Sequence, residues 1–300
     1  MIKVTSKKIF AVYALCAVLI LLYVLSLTAF APDGKNKRQA QNIQLLHEAD
    51  IAAIDQIIIQ NNSSAILLIR QNNMWLASSD FSGDNFIPAD TSMLQKLFVN
   101  LATVHKMTKA GKKNDVQTYG LSQNDVTAIS LYKDGLEYEH LFFGNPDFTQ
   151  SERYFTTSEL NSVFLIDTSF DSFLSVSSQT WYDAYLISSQ LKEQVFQMGD
   201  IQSLSKEAAQ KLLELRHGGF ASVQEINLVQ ANTVMPEYNL TLHMGDKSVI
   251  KLDFYNCDIA KDASDYVVKV EFNSARTGQS FTYYTKISLW TYNKIKEITL

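Results

Sequence analysis

Five histidines, the residue type most often used for acid–base catalysis and zinc binding, are scattered along the chain at positions 47, 105, 140, 217 and 243. Only His140 has carboxylates close to it in sequence, at Glu137 and Glu139. Alternation along a strand would place both glutamates on one face and His140 on the other. The spacing therefore predicts solvated charges rather than a metal site or a proton-transfer pair.

A second group of candidate ligands is the acidic stretch that holds Asn256, Asp258, Asp262 and Asp265. Oxygen ligands of this kind suit a divalent cation, but their spacing does not follow the calcium-loop pattern and no glycine supplies its sharp turn. Cys257 lies in the same stretch and is the only cysteine that follows the apolar N-terminal segment, so no disulfide is expected within the rest of the chain. We interpret the stretch as a solvated loop and Cys257 as a small residue without a chemical role.

The remaining motifs also favour structural roles. The sequence contains no HExxH, GxSxG, Walker loop or Cys-x-x-Cys. His217 is interpreted as a cation at a helix C-terminus, and Tyr119-Gly120-Leu121 as a turn whose two apolar side chains pack inward. We therefore predict no catalytic residue, no cofactor-binding residue and no metal ligand. A catalytic group assembled from distant positions stays open as an alternative.

The N-terminus carries the clearest signal. Residues 9–31 form a run without a charged side chain, and three lysines precede it. At about 1.5 Å per residue such a helix crosses the roughly 30 Å hydrocarbon core of a bilayer. A cleaved signal peptide is the competing interpretation, because residues 29–31 have the small-x-small form of a cleavage site. The length of the run, and Pro32 directly after it, favour a retained anchor.

These features predict residues 1–8 as a cytoplasmic head, 9–31 as a transmembrane helix and 32–49 as a juxtamembrane linker. Lys35, Lys37 and Arg38 nearly balance the lysines before the span, so charge does not decide its orientation. Long domains are exported largely regardless of charge, which favours a single-pass protein of the cell membrane with its bulk outside the cytoplasm.

The body of the chain is acidic. Residues 1–38 hold six of the 26 Lys and Arg and one of the 31 Asp and Glu, so the remainder has a net charge of −10. An acidic body disfavours nucleic acid and anionic lipid headgroups as its partners.

Periodicity predicts an α+β fold of largely antiparallel sheets, each covered by helix. Asp134-Gly135 predicts a hairpin between strands at 126–132 and 138–143, and Asp90, or Ser92 with Gln95, predicts the start of a helix. The lysine-rich stretch 106–114 is predicted as an exposed loop. A first module is expected at 50–190 and a second at 191–300. Two further helices are predicted at 205–217 and 287–298, and the second of these is expected to pack through Trp290 and Ile295. The remaining predicted strands lie at 65–70, 74–77, 153–157, 162–167, 221–229, 238–244, 249–255, 266–272 and 280–285.

Several short motifs occur in a recognisable order: Met74-Trp75-Leu76, Ile87-Pro88-Ala89-Asp90 and Tyr119-Gly120-Leu121, followed by residues 141–144 and 163–166. This order behind an N-terminal span resembles the bacterial family catalogued as domain of unknown function 4340, over about residues 50–187. Family members usually have a proline shortly after Trp-Leu, where this chain has Ala77-Ser78-Ser79-Asp80. Some members look like partners of ABC-type export machinery, including the auxiliary component of gliding-type transporters. The resemblance therefore implies an accessory role and supplies no catalytic residues.

The sequence thus favours a non-enzymatic, membrane-anchored accessory or scaffold protein. Its expected partners are the lipid bilayer, through residues 9–31, and an integral membrane protein, with a transporter permease favoured. An extracytoplasmic ligand-binding module is the second hypothesis, and a hydrolase of envelope material is the third. A pocket with convergent polar groups would favour the second, and perturbed carboxylates or histidines in a cleft would favour the third.

Overall fold

The computed structural model describes residues 19, 23, 40–79, 85–122, 124–198, 201–257 and 265–299. The described strands are β1 (Ala40–Gln44), β2 (Ile54–Gln60), β3 (Ala65–Gln71), β4 (Met74–Ser78), β5 (Ile87–Pro88), β6 (Val104–Lys112), β7 (Thr127–Lys133), β8 (Leu136–Pro146), β9 (Glu152–Thr157), β10 (Ser162–Asp167), β11 (Gly219–Phe220), β12 (Tyr238–His243), β13 (Val249–Tyr255), β14 (Asp265–Asn273) and β15 (Ser280–Ser288). The described α-helices are α1 (Glu48–Ile51), α2 (Thr91–Ala102), α3 (Ser178–Trp181), α4 (Ser189–Met198), α5 (Lys206–Leu213), α6 (Val223–Gln230) and α7 (Leu289–Thr299). Short 3-10 helices span Lys113–Tyr119 and Thr168–Phe173.

The strands form two sheets in which every described pairing is antiparallel, which confirms an α+β fold with antiparallel sheets. The first sheet has the order β1-β6-β10-β9-β8-β7-β2-β3-β4-β5, and the second has the order β11-β15-β14-β13-β12. Residues two apart in a strand share a face, so Ile57 and Ile59 of β2 point into one core with Phe143 of β8 and Leu97 of α2. This core lies between the first sheet, α2 and the 3-10 helix at Thr168–Phe173.

The two sheets share a second apolar core. Met74, Leu76 and Ile87 of β4 and β5 pack with the inner face of the second sheet and with helices α4, α5 and α7. The predicted module boundary at residue 190 falls in the first turn of α4. Helix α4 packs in the second core through Leu191 and Val195, so the boundary lies at the junction, the region where the second core joins the two sheets.

Two buried carboxamides hold this junction together. The Gln190 side chain accepts a hydrogen bond from the Trp75 N–H (2.9 Å) and donates to the carbonyls of Trp75 (2.8 Å) and Ala89 (2.9 Å). Asn85 donates to the carbonyls of Ala221 (3.2 Å) and Tyr284 (3.3 Å). Because buried main-chain groups are costly to leave unpaired, these side chains fix the position of one sheet on the other.

Local sequence signals placed several elements correctly. Asp134 and Gly135 both adopt positive φ and join β7 to β8 in the predicted hairpin. Asp90 caps α2 by accepting hydrogen bonds from the N–H groups of Ser92 and Met93, which decides between the two predicted starts. Ser205 caps α5 as predicted.

Four predictions were wrong. The lysine-rich stretch is strand β6, which lies between β1 and β10, where Lys106, Lys109 and Lys112 are exposed and His105 and Met107 are buried. The expected linker contains β1 and α1 from residue 40 onward. The strand expected at 221–229 is helix α6, started by a capping box between Ser222 and Glu225. Trp290 is 71% exposed rather than packed, although Ile295 of the same helix is fully buried as expected.

The predicted transmembrane span at 9–31 lies outside the described residues, apart from Leu19 and Tyr23, which are helical and exposed. Within the described ranges, no helix has both the length and the apolar character needed to cross a bilayer.

Candidate functional site

Helices α4 and α5 form the walls of a cleft of about 400 Å³ beside the second core. Helix α4 is positioned at its N-terminus by two residues. The Ser188 hydroxyl accepts a hydrogen bond from the Leu191 N–H (3.2 Å), and the buried carboxylate of Asp183 accepts from the N–H groups of Tyr185 and Ser189. The bonds from the Ser189 and Leu191 N–H groups satisfy donors that the first turn of a helix leaves free.

The opposite wall, α5, is held by its own cap and by the second sheet. Ser205 accepts a hydrogen bond from the Ala208 N–H (3.2 Å). The segment that enters α5 pairs with the end of β12, since Ile201 forms a bridge with Met244 and the Gln202 N–H donates to the His243 carbonyl (2.8 Å). The two walls are therefore fixed independently, and the space between them is preformed.

The lining of the cleft is apolar inside and polar at its rim. The apolar part consists of Val195, Ile201, Ala209 and Leu213, and the polar part consists of Lys192, Lys206, Gln210 and Glu214. A preformed apolar pocket with a few polar groups is the usual form of a binding site.

Lys192 is a half-buried cation of the cleft. Its ammonium lies 3.1 Å from the centroid of the Tyr185 ring, and the guanidinium of Arg216 lies 5.5 Å from the same ring. Burial lowers the pKa of Lys192, and the charge of Arg216 lowers it further, while Asp183 and Glu214 oppose the shift. Arg216 is brought here because Tyr185 and Arg216 form an antiparallel bridge.

The cleft thus combines an apolar interior with two lysines, Lys192 and Lys206, and one carboxylate, Glu214, on a chain whose body is acidic. A segment with an apolar face and a negative charge would match both properties.

The structure places His140 and Glu137 together, against the expectation from alternation. His140 Nδ1 lies 3.6 Å from Glu137 Oε1. The register of β8 against β7 shifts between Leu131 and Tyr132, so one extra residue, Tyr138, resets the alternation and turns Glu137 to the His140 face. Glu139 accepts a hydrogen bond from the His140 main-chain N–H (3.1 Å), and burial raises its pKa. Among the described residues no three His, Cys, Asp or Glu side chains are grouped as a metal ion requires.

His217 is not a helix-terminal cation. Helix α5 ends at Leu213, and the His217 N–H pairs with the Ala184 carbonyl beside the bridge that holds Arg216. The imidazole is buried, its Nε2 lies 2.6 Å from the Asp183 carbonyl, and its Nδ1 accepts a hydrogen bond from the Gly219 N–H (3.1 Å). Because Nδ1 accepts this hydrogen bond, the geometry fits the neutral ring with its proton on Nε2, and burial lowers the pKa of His217.

The other predicted candidates lie away from the cleft. Tyr119-Gly120-Leu121 is a turn as predicted, with Gly120 at φ 65° and Leu121 buried. Cys257 is buried, and burial raises the pKa of its thiol, which makes it a poor nucleophile. The acidic residues Asp258 and Asp262 lie outside the described residues.

The model of a family described as Domain of unknown function (DUF4340) matches residues 81–234, about half of the chain. The chain belongs to this family. No curated protein and no solved structure matches it. The DUF4340 match begins and ends later in the chain than the resemblance predicted.

The DUF4340 segment carries both walls of the cleft, since α4 and α5 lie within residues 81–234. The strands within this segment do not make up either sheet by themselves. Its strand β7 pairs with β2, and its strand β11 pairs with β15, both of which lie outside the match. The family segment therefore depends on flanking strands for its fold.

Proposed function

We propose that this protein is a non-enzymatic accessory protein, anchored in the cell membrane by residues 9–31, whose extracytoplasmic body binds an integral membrane partner through the cleft between α4 and α5. The observation that carries the proposal is the cleft itself, which joins an apolar interior to a polar rim that carries Lys192 and Lys206. An amphipathic, acidic segment of a membrane protein would bury its apolar side chains against Val195 and Leu213 and pair its charges with Lys192 and Lys206.

The anchor supports this mode of action. A tether on one membrane raises the effective concentration of any partner in that membrane, so a cleft of modest size is occupied without high intrinsic affinity. A permease of an ABC-type transporter is the favoured partner, on the strength of the family resemblance.

Site-specific photo-crosslinking in intact cells tests the proposal. A photoreactive residue at Gln210, on the rim of the cleft, should capture an integral membrane protein, whereas one at Glu297, exposed on α7, should not. Lys192→Gln combined with Lys206→Gln should reduce the capture several-fold, and Lys294→Gln on α7 serves as the matched control. Equal capture from both positions would contradict the assignment of the cleft.

A ligand-binding module is the second candidate, and the half-buried position of Lys192 favours it. An anionic amphiphile would place its head between Lys192 and Lys206 and its chain in the cleft. Capture of a small molecule alone from Gln210, identified by mass spectrometry, would replace the protein partner with this ligand.

The anchor is tested separately. Mass spectrometry of the membrane-extracted protein should find peptides that join residues before and after Pro32. A mature N-terminus at Pro32 would contradict the anchor and leave the cleft proposal to be judged by crosslinking.

A further inference from the structure

A groove follows strand β7 on the face of the first sheet opposite the first core. The buried small residue Ala128 forms part of its floor, and the equally buried Ser130 follows two residues later on the same face of the strand; each is 3% exposed. In the register of the sheet, Ala128 lies between Gln60 of β2 and Phe142 of β8. Small residues flanked by larger ones on both neighbouring strands leave a trough along the central strand.

The next row repeats the pattern. Ser130 lies between Ile58 of β2 and His140 of β8, and His140 and Phe142 stack on each other with ring centroids 4.2 Å apart. The groove has a volume of about 440 Å³ and is lined by Gln60, Asn61, Asn62, Asn124, Val126, Ala128, His140 and Phe142.

Two tight turns position the carboxamides at one end of the groove. The Asn61 Oδ1 accepts hydrogen bonds from the N–H groups of Ser63 (3.0 Å) and Ser64 (2.9 Å). The side-chain nitrogen of Asn61 is therefore the group that can donate a hydrogen bond to a ligand in the groove. Asn124 lies in a turn that is held by a hydrogen bond from the Ser122 hydroxyl to Asp125 (2.8 Å).

The chemistry of this lining indicates a neutral polar ligand. Four carboxamides supply donors and acceptors without charge, and Glu137, beside His140, would repel an anion. An extended peptide does not suit the groove, because β2, β7 and β8 are each paired on both edges and offer no main-chain groups to it. Recognition must come from side chains.

We propose that this groove binds a neutral oligosaccharide. Vicinal hydroxyls of a sugar ring match the paired donor and acceptor of a carboxamide, and the C–H face of the ring packs on Phe142. Gln60, Asn61, Asn62 and Asn124 take the hydroxyls, and the small side chain of Ala128 leaves room for the ring. The site is separate from the cleft between α4 and α5, so it does not depend on the function proposed for that cleft.

Calorimetric titration of the full chain with triacetylchitotriose, a neutral oligosaccharide, tests the groove. A detergent without a sugar headgroup is required, because a maltoside would compete. Asn124→Ala and Phe142→Ala should each weaken binding at least about tenfold, which corresponds to the loss of about 1.4 kcal/mol. Asn42→Ala, an exposed carboxamide on β1, should leave binding unchanged.

The Asn124→Ala variant guards against misfolding, because Asn124 lies in an exposed turn whereas Phe142 is half-buried. Absence of binding at about 10 mM sugar would overturn the proposal. So would equal binding of trigalacturonic acid, preferential binding of a short uncharged peptide, or a triacetylchitotriose affinity that neither groove variant changes.

Discussion

Gln190 gives the sharpest test of how the two sheets are joined. Its carboxamide is 7% exposed and makes three hydrogen bonds to the main chain of residues 75 and 89. Gln190→Leu keeps the size of the side chain, so the cavity contribution is small, but it removes all three hydrogen bonds.

The magnitude follows from what each partner retains. The Trp75 carbonyl still accepts from the Ala89 N–H (2.8 Å), whereas the Trp75 N–H and the Ala89 carbonyl lose the Gln190 partner. Three hydrogen bonds at about 1 kcal/mol each, with an added cost for the unpaired groups, predict a loss of about 3–4 kcal/mol in the free energy of unfolding.

Urea unfolding of the full chain in mild detergent, followed by tryptophan fluorescence, measures this loss. The Trp75 main chain donates one hydrogen bond to the Gln190 side chain and accepts another from it, and Trp181 is fully buried nearby, so both tryptophans report on the change. Gln224→Leu, an exposed position on α6, is the matched control and should change the free energy of unfolding by less than about 0.5 kcal/mol.

A charged variant separates hydrogen bonding from packing. In Gln190→Glu a carboxylate would face the carbonyls of Trp75 and Ala89, so its pKa would rise in the folded state. The folded state then binds the proton more tightly than the unfolded state, and the stability of this variant should increase as the pH falls.

A loss below about 1 kcal/mol in the free energy of unfolding of Gln190→Leu would refute our account of the junction.

Three further predictions concern single positions. Gly120→Ala should lower the melting temperature more than Gly135→Ala, because both have positive φ but a Cβ at Gly120 would meet the Asn145 side chain and one at Gly135 would meet nothing. His217 has a lowered pKa in the folded state, so its contribution to stability is complete above the unfolded pKa of about 6.5 and is lost as the pH falls below it. His217→Gln should therefore flatten the fall in melting temperature between neutral and mildly acidic pH, and an unchanged slope would contradict the neutral buried ring. Reductant should leave the melting temperature unchanged, because Cys257 is free and buried, and a shift on adding reductant would reveal a covalent constraint.

Local signals determined the parts of the fold that depend on near neighbours. Asp134-Gly135 set a hairpin and Ser205 started a helix. Such signals act within a few residues, so one sequence suffices to read them. The family was also recognisable from the order of short motifs in the chain.

Two local signals in the sequence indicate helices that the predicted periodicity did not contain. Ser222 and Glu225 have capping-box spacing and start α6 where strand was expected. Leu191 and Val195, four residues apart after Ser188, would have indicated α4 and with it one wall of the cleft.

The candidate sites themselves were decided by tertiary structure. Lys192 and Arg216 meet over Tyr185 because a bridge joins residues 185 and 216, and no local pattern encodes a pairing across that distance. A single extra residue in β8 reversed the predicted faces of Glu137 and His140, because the side-chain period of a strand is two. The sequence by itself determined which residues are apolar, capped or turned, whereas only the packing of distant segments determined which polar groups face a common space.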